Sequence, residues 1–209
     1  MVASLDALGV EYGTDKNSRC HDYLRIYDEL FGPLRHQPIN LLELGVAFGQ
    51  SIRMWADYFD HPETVIYGID DGSYAAFRDA QPVNAVLFAA DQAEIPVGWP
   101  APLLDIVVDD ASHDPVKTEA SFRLWYPRVR PGGVYVVEDI SNVDIRFLQG
   151  LVSDAANRVG DFGIDWMRFS HDLCIIHKLW GVVFPSGSCP GAVMTANPGL
   201  EKHLWIGAV

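Results

Sequence analysis

Three carboxylate side chains follow two short apolar runs of this sequence. The run LLDIVVDD ends at Asp110, and the run GGVYVVED ends at Glu138 and Asp139. If these runs are neighbouring parallel strands, the carboxylates meet at one edge of a sheet. Carboxylate oxygens suit Mg²⁺ or Mn²⁺ and do not suit a structural zinc. His113 follows Asp110 closely, and a neutral imidazole can remove a hydroxyl proton near neutral pH. The spacing therefore predicts metal-assisted chemistry on a hydroxyl group.

Each of these side chains also has a plainer interpretation. A lone carboxylate at a strand end is more often a helix cap or a solvated group, and His113 could cap the helix that follows it. Three converging carboxylates are harder to explain without a cation, because like charges raise one another's pKa values. For the neighbouring Asp109, a structural role on the other face of the strand stays open.

The hydrophobic pattern predicts an alternation of strands and helices. Continuous apolar runs indicate buried parallel strands, and apolar residues at three- and four-residue spacing indicate helices. The predicted strands are 39–46, 64–70, 83–91, 103–109, 133–138, 164–170 and 173–180. The predicted helices are 21–35, 49–59, 73–80, 114–130 (unless Pro127 ends it early) and 143–159.

This order of elements predicts an α/β fold of the doubly wound, Rossmann-like type. Its seven-stranded sheet would be mostly parallel, with the last two strands as an antiparallel hairpin. One domain is expected to occupy 1–209, with a helical lid or cap segment at 1–36, a core at 37–183 and a tail at 184–209. The tail region contains apolar residues that could cover the sheet edge or form a homodimer contact. The pattern of the sequence leaves both interpretations open.

Composition excludes several classes of partner. The formal net charge is −13 and there is no cluster of Lys and Arg, which argues against a broad nucleic-acid surface. Three cysteines without a CxxC motif favour a reducing compartment. There is no secretion-signal pattern and no apolar run of about 20 residues, so we expect no membrane span and a cytoplasmic location.

The segment ELGVAFG joins a predicted strand to a predicted helix. Gly45 would allow a tight turn beneath a ligand, and Gly49 would allow the helix to start close to it. Val46 and Ala47 break the GxGxxG pattern of dinucleotide sites, so a nucleoside without phosphates is the better ligand. A glycine in this position is often only a turn, and the order of the surrounding elements is what favours a ligand.

Two further acids end the next two predicted strands. Asp70 stands where an acidic residue commonly accepts hydrogen bonds from ribose hydroxyls. Asp91 and Gln92 follow the third strand and could flank an adenine. The loop, Asp70 and this pair together predict a nucleoside site along one βαβαβ unit.

With these motifs in place, the chain resembles the class I S-adenosylmethionine-dependent methyltransferases. More narrowly, it is similar to the metal-dependent sugar O-methyltransferases of the mycinamicin and macrocin type. The matching segments are YGTDK, HDYLRIYDELF, LLELGVAFGQSIRMWADYF, IYGID, DDASHD and VVEDI.

The resemblance implies roles for individual residues. Asp110, Glu138 and Asp139 would bind Mg²⁺ or Mn²⁺, and His113 would be the catalytic base. The GTDK segment would help to close the site, and His21 and Tyr23 would lie on the substrate side. The residues implied in cofactor binding are Thr14, Lys16, Glu43, Gly45, Phe48, Gly49, Ser51, Asp70, Asp91 and Gln92.

The expected reaction is methyl transfer from S-adenosylmethionine to a hydroxyl of a small-molecule or oligosaccharide substrate. We expect the chain to lack the large amino-terminal domain of the macrolide-sugar enzymes, and it is also similar to mycobacterial methyltransferases of polysaccharide biosynthesis. This second likeness favours the anomeric oxygen of a methylated mannoside. A catechol-type O-methyltransferase and a non-catalytic S-adenosylmethionine-binding protein are the alternatives, while the broken glycine pattern disfavours a nicotinamide oxidoreductase.

Overall fold

The computed structural model describes residues 3–72, 81–142, 145–157 and 163–179. The strands are β1 Asn40–Leu44, β2 Val65–Asp70, β3 Ala85–Ala89, β4 Leu104–Asp109, β5 Val129–Val137, β6 Ile164–Ser170 and β7 Leu173–Lys178. The α-helices are α1 Leu5–Tyr12, α2 Tyr23–Phe31, α3 Gln50–Tyr58, α4 Pro115–Trp125 and α5 Ile145–Asn157. Short 3₁₀ turns occupy Gly32–Leu34, Tyr126–Arg128 and Ile140–Asn142.

The strands form one seven-stranded sheet in the order β3-β2-β1-β4-β5-β7-β6. The pairs among β1 to β5 are parallel, whereas β7 is antiparallel to both β5 and β6. The predicted doubly wound fold with its C-terminal hairpin is confirmed. In the register, Leu44 pairs with Asp109 and Asp109 pairs with Val137. The residues that follow β1, β4 and β5 therefore emerge level with one another, at the same edge of the sheet.

Several predicted boundaries differ from the observed ones. The helix predicted over 114–130 ends at Trp125, and Pro127 lies in the 3₁₀ turn that follows. Strand β5 begins at Val129 rather than at residue 133, and its register against β4 shifts between the pairs Leu104–Val129 and Ile106–Val134. The predicted helix at 73–80 and the ends of the predicted helix at 143–159 lie outside the described residues.

Apolar side chains cover both faces of the sheet. On one face α2 and α3 bury Tyr27 and Trp55 among the strand residues. On the other face α4 buries Phe122 and Trp125, and the indole of Trp125 donates to the carbonyl of Gln92 at 2.7 Å. These two apolar clusters, one on each face of the sheet, hold the strand ends in fixed positions.

Helix α1 is bounded at both ends by residues that favour a helix terminus. The Ser4 side chain accepts a hydrogen bond from the Ala7 amide, and Gly13 adopts the left-handed conformation after the last turn. Among the described residues, no helix combines the length and apolar character that a bilayer crossing requires.

Candidate active site

A cavity of ≈ 460 Å³ opens at the carboxyl ends of β1, β2 and β4. Ligands of doubly wound sheets bind at this edge. Eight of the ten residues implied in cofactor binding line the cavity: Thr14, Lys16, Gly45, Phe48, Ser51, Asp70, Asp91 and Gln92. Asp110, which follows β4, lines the cavity as well.

The turn after β1 requires glycine at residue 45. Gly45 has a φ of +86°, and a Cβ atom there would lie 2.1 Å from the carbonyl oxygen of Asp110. The loop therefore crosses directly against the end of β4. Gly49, with a φ of +76°, precedes the first residue of α3. Gly45 makes the tight turn that the sequence predicts, and the predicted approach of Gly49 to a ligand stays a prediction.

Asp70 fixes this loop from the end of β2. One of its oxygens accepts the amide protons of Val46 at 2.9 Å and Ala47 at 3.0 Å. The other accepts the amide proton of Gly72 at 3.0 Å. Ala47 stands at a φ of +46°, a strained region for a residue with a Cβ, and the bond to Asp70 helps to hold it there. The predicted contact of Asp70 with a ribose stays a prediction.

The residues after β3 connect the cavity to the loop that carries His113. Asp91 forms an ion pair with Lys117 at the rim. Gln92 is buried, and its side-chain oxygen accepts the amide proton of Ser112 at 3.1 Å. Gln92 therefore positions the chain immediately before His113, a role that the sequence did not indicate.

Glu43 is a buried carboxylate, and only one of its two oxygens accepts a hydrogen bond from the described residues. Its Oε2 accepts the hydroxyl proton of Ser51 at 2.8 Å, while Oε1 has no hydrogen-bond partner in the described part of the chain. Burial raises the pKa of Glu43 to about 7, although the charge of Lys16 at 3.8 Å works in the opposite direction. An amino group of a bound ligand would supply the hydrogen-bond donor that Oε1 of Glu43 lacks.

Asp110, His113 and Asp139 come together at the strand ends. One potential ligand atom from each lies within 4.8 Å of the other two. The Nε2 atom of His113 is 3.6 Å from Asp110 Oδ1 and 3.4 Å from Asp139 Oδ2. His113 and Asp139 both have positive φ values, of +53° and +51°, so sharp turns at both strand ends bring the groups together.

Glu138 is held differently from the other two predicted metal ligands. Its Oε1 accepts the hydroxyl proton of Tyr27 at 2.6 Å, and its Oε2 accepts a proton from the Lys16 ammonium at 2.7 Å. Burial and the nearby charge of Asp110 raise the pKa of Glu138 to about 8, against the opposing effect of Lys16. The cluster of potential ligand atoms does not include Glu138, so its metal contact stays a prediction.

Lys16 is buried among three carboxylates. Its ammonium donates to Asp110 Oδ2 as well as to Glu138, and it lies 3.8 Å from Glu43. Burial alone would lower the pKa of Lys16, but the three acidic neighbours outweigh burial and hold that pKa well above its ordinary value. Lys16 thus stays charged and joins the wall of the cavity to the acidic strand ends.

The predicted substrate-side residues lie next to Asp139. The hydroxyl of Tyr23 donates to Asp139 Oδ1 at 2.8 Å. The ring of His21 stacks on Tyr23 with a centroid distance of 5.1 Å, and nearly half of the His21 side chain is exposed. Tyr27 was not among the predicted site residues, yet it follows Tyr23 by one helical turn. That spacing places both rings on the same face of α2 and was the available signal.

Asp109 has the structural role that the sequence left open. It is buried on the opposite side of β4, where it accepts the hydroxyl protons of Ser121 at 2.5 Å and Tyr135 at 2.9 Å. Burial raises the pKa of Asp109 to about 6, even though both hydroxyls favour the charged form.

This raised pKa predicts a specific dependence of stability on pH. The folded state binds the Asp109 proton more tightly than the unfolded state, so the stabilisation is present near pH 4 and is lost as the pH rises to about 6. Relative to Asp109→Asn, wild-type protein should lose about 2 kcal/mol of unfolding free energy between these limits. Urea titrations of both proteins at several pH values measure the difference. Parallel pH profiles would show that Asp109 does not titrate in this range.

Residues 42–140 match the sequence profile of a protein family described as a methyltransferase domain. This matched segment runs from β1 to β5 and includes the strand ends of the site. It is 32% identical over 161 residues to the 8-demethyl-8-alpha-L-rhamnosyl tetracenomycin-C 2'-O-methyltransferase of Streptomyces olivaceus, across 73% of this chain and 42% of that protein. It is 34% identical over 147 residues to the mycinamicin VI 2''-O-methyltransferase of Micromonospora griseorubida, across 65% of this chain and 36% of that protein. The matched region is less than half the length of either relative.

Solved structures of the MycE methyltransferase share the fold of this chain. One, in complex with Mg and SAH, has a TM-score of 0.73 at 26% identity and covers 91% of this chain and 58% of that chain. Another, with Mg, SAH and mycinamycin VI, has a TM-score of 0.74 at 25% identity and covers 85% of this chain and 54% of that chain. The resemblance predicted from the sequence motifs is confirmed.

Proposed function

We propose that this chain transfers a methyl group from S-adenosylmethionine to a sugar hydroxyl with the help of a divalent metal ion. The observation that carries the proposal is the position of Asp110. This residue lines the cavity at the strand ends and also belongs to the cluster with His113 and Asp139. A ligand in the cavity and an ion at the cluster would therefore be immediate neighbours.

The cavity suits a methyl donor of the nucleoside type. It lies where the glycine turn after β1 approaches the end of β4, and it has no GxGxxG loop to cradle phosphates. Glu43 is buried directly behind the lining residues Lys16 and Ser51, and its negative charge would favour the amino group of the methionine portion. When bound, S-adenosylmethionine supplies an electrophilic methyl group on a sulfonium.

The acidic cluster suits a hard divalent cation. Asp110 and Asp139 would hold Mg²⁺ or Mn²⁺, with Glu138 as the third predicted ligand. Carboxylate oxygens are the ligands that these ions prefer, and the spread of the ligand atoms, within 4.8 Å, leaves room for one ion. Such an ion would act as a Lewis acid that makes an acceptor hydroxyl more acidic. The solved MycE complexes contain Mg, which supports the same assignment here.

His113 is the group in this chain that would accept the proton of the acceptor hydroxyl. Its Nε2 faces Asp110 and Asp139 at 3.6 and 3.4 Å, which places the imidazole directly beside the two proposed metal ligands. Gln92 fixes the amide of Ser112, and with it the start of the loop that aims the imidazole. Tyr23 orients Asp139 through its hydroxyl. As the acceptor oxygen forms its bond to the methyl carbon, the bond from that carbon to the sulfonium sulfur would break and S-adenosylhomocysteine would leave as a neutral thioether. His113 would take up the hydroxyl proton.

A sugar acceptor follows from the relatives rather than from the cavity alone. The two relatives described above are named for O-methylation at the 2' and 2'' positions of glycosylated natural products. The exposed His21 ring, stacked on Tyr23 beside Asp139, offers a flat surface on the acceptor side. We extend the proposal to a saccharide hydroxyl, with the anomeric oxygen of a methylated mannoside as the finer hypothesis.

An acceptor panel tests this proposal. Purified full-length chain is incubated with labelled S-adenosylmethionine, Mg²⁺ and one acceptor at a time: rhamnosides, mannosides with a free anomeric hydroxyl, a catechol, or none. Label should appear in a glycoside product and its position should be assigned by NMR. Label in the catechol alone would favour the catechol-type alternative. Donor binding without transfer to any acceptor would favour a binding protein.

A further inference from the structure

We propose that Lys16, Tyr23 and Tyr27 are positioning residues that set the affinity of the acidic strand ends for the metal ion. The proposal rests on the metal site of the proposed function and deepens it. These three residues, called here the supporting residues, all come from the amino-terminal part of the chain. The acids that they contact are distant in the sequence. Lys16 is 94 residues from Asp110, Tyr23 is 116 residues from Asp139, and Tyr27 is 111 residues from Glu138.

Asp110 and Asp139 each accept a hydrogen bond from a supporting residue at one carboxylate oxygen. The other oxygen of each carboxylate faces His113. Asp110 receives Lys16 at Oδ2 and has its Oδ1 at 3.6 Å from the imidazole. Asp139 receives the Tyr23 hydroxyl at Oδ1 and has its Oδ2 at 3.4 Å from the imidazole. The supporting contacts therefore decide which oxygen of each acid is presented to an ion.

Glu138 is held from both sides. Tyr27 donates to one oxygen at 2.6 Å and Lys16 donates to the other at 2.7 Å. Because Lys16 contacts Asp110 and Glu138 together, it also fixes the spacing between the ends of β4 and β5. Buried carboxylates that are held in this way cannot turn aside to relieve their mutual repulsion.

The backbone ties the supporting residues to one another. Helix α2 begins without a side-chain cap at Asp22. The carbonyl of Lys16 instead accepts the amide protons of Tyr23 at 2.9 Å and Leu24 at 3.1 Å. The loop that carries Lys16 therefore fixes the start of the helix that carries Tyr23 and Tyr27. This segment acts as the frame of the metal site, in addition to any part it takes in closing the cavity.

Residues that orient metal ligands typically contribute 10–100-fold to metal affinity or activity. We therefore expect Tyr23→Phe to weaken Mn²⁺ binding about tenfold, because Asp139 loses the contact that fixes its free oxygen. Tyr27→Phe should also weaken binding, by less, since Lys16 still holds Glu138. Both changes remove one hydroxyl and keep the ring, so the packing of α2 is preserved.

Tyr58→Phe is the matched control. Tyr58 is buried like the two test residues, and its hydroxyl donates to Asp28 at 2.6 Å, away from the strand ends. Mn²⁺ affinity is measured on the full chain by electron paramagnetic resonance, with the affinity for S-adenosylhomocysteine and the thermal midpoint as parallel readouts. In turnover, Tyr23→Phe should raise the Mg²⁺ concentration for half-maximal activity, whereas Tyr58→Phe should leave it at the wild-type value.

The outcomes separate this inference from the proposed function. Mn²⁺ binding more than about threefold weaker in Tyr23→Phe than in Tyr58→Phe, with unchanged donor affinity, supports the positioning role. Equal Mn²⁺ affinities in these two variants overturn the positioning role. If Tyr23→Phe does not fold, the same comparison is made between Tyr27→Phe and Tyr58→Phe. If wild-type protein binds no Mn²⁺, or if Asp110→Asn binds it as well as wild type, the proposed metal site itself fails.

Discussion

Replacing Lys16 with methionine is expected to destabilise the metal-free protein by about 3–5 kcal/mol, the usual effect of removing one partner from a buried ion pair. Methionine has a similar length and fills the same space, so the loss comes from charge. Asp110, Glu138 and Glu43 would remain around the vacated ammonium position. Urea unfolding in the presence of EDTA at pH 8 measures the change.

The effect of Lys16→Met should depend on pH in a defined direction. The pKa of Glu43 is raised to about 7 and that of Glu138 to about 8 in the folded protein. A carboxyl whose folded pKa is raised stabilises the fold below its unfolded pKa, and this stability is lost as the pH rises through the folded value. Near pH 5 both groups are protonated and need Lys16 less, so the cost of the substitution should be smaller there than at pH 8.

Lys117→Met provides the matched control for charge removal. Lys117 pairs with Asp91 on a surface where the two side chains are 48% and 33% exposed. Exposed pairs contribute about 0–1 kcal/mol, so this variant should stay near wild type in stability. A Lys16→Met protein as stable as Lys117→Met at pH 8 would contradict the structural role assigned to the buried ammonium.

Replacing His113 with alanine is expected to reduce kcat by about 10²–10⁴-fold, the range that general base catalysis contributes. The loss should persist at saturating Mg²⁺, because the missing function is proton removal. Single-turnover methyl transfer measures it, with donor affinity checked separately. His36→Ala is the control, since His36 pairs with Asp60 on the surface and contacts no site residue.

A different result would assign His113 another role. Its Nε2 lies among the potential ligand atoms of the cluster, so it could bind the ion instead of the proton. In that case the activity of His113→Ala would recover as the Mg²⁺ concentration is raised. Such recovery, or turnover close to that of His36→Ala, would contradict its assignment as the base.

The strand ends could be predicted because local pattern and topology rules determine them. Buried apolar runs locate β1, β4 and β5, and short right-handed crossovers make them neighbours. The chemistry of Asp110, Asp139 and His113 then follows from their place just after the strands. Gly45 could be predicted for the same reason, since a turn at this edge must pass close to the next strand.

The different contacts of Glu138 and Asp139 could not be predicted from local pattern and topology. Glu138 and Asp139 are consecutive, and successive side chains of an extended chain point in different directions. Only the packing of α2 decides that Glu138 meets Tyr27 and Lys16 while Asp139 meets Tyr23. The early start of β5 is accompanied by a register shift against β4, which no local pattern encodes.

Metal dependence tests the proposed chemistry most directly. Full-length protein is treated with EDTA, freed of chelator, and assayed for methyl transfer to its best glycoside with and without added Mg²⁺, alongside Asp110→Asn. We predict that transfer falls to background after EDTA, returns with Mg²⁺ in the wild type, and does not return in Asp110→Asn. Undiminished transfer by the EDTA-treated wild type without added metal would contradict a metal-dependent site at these strand ends.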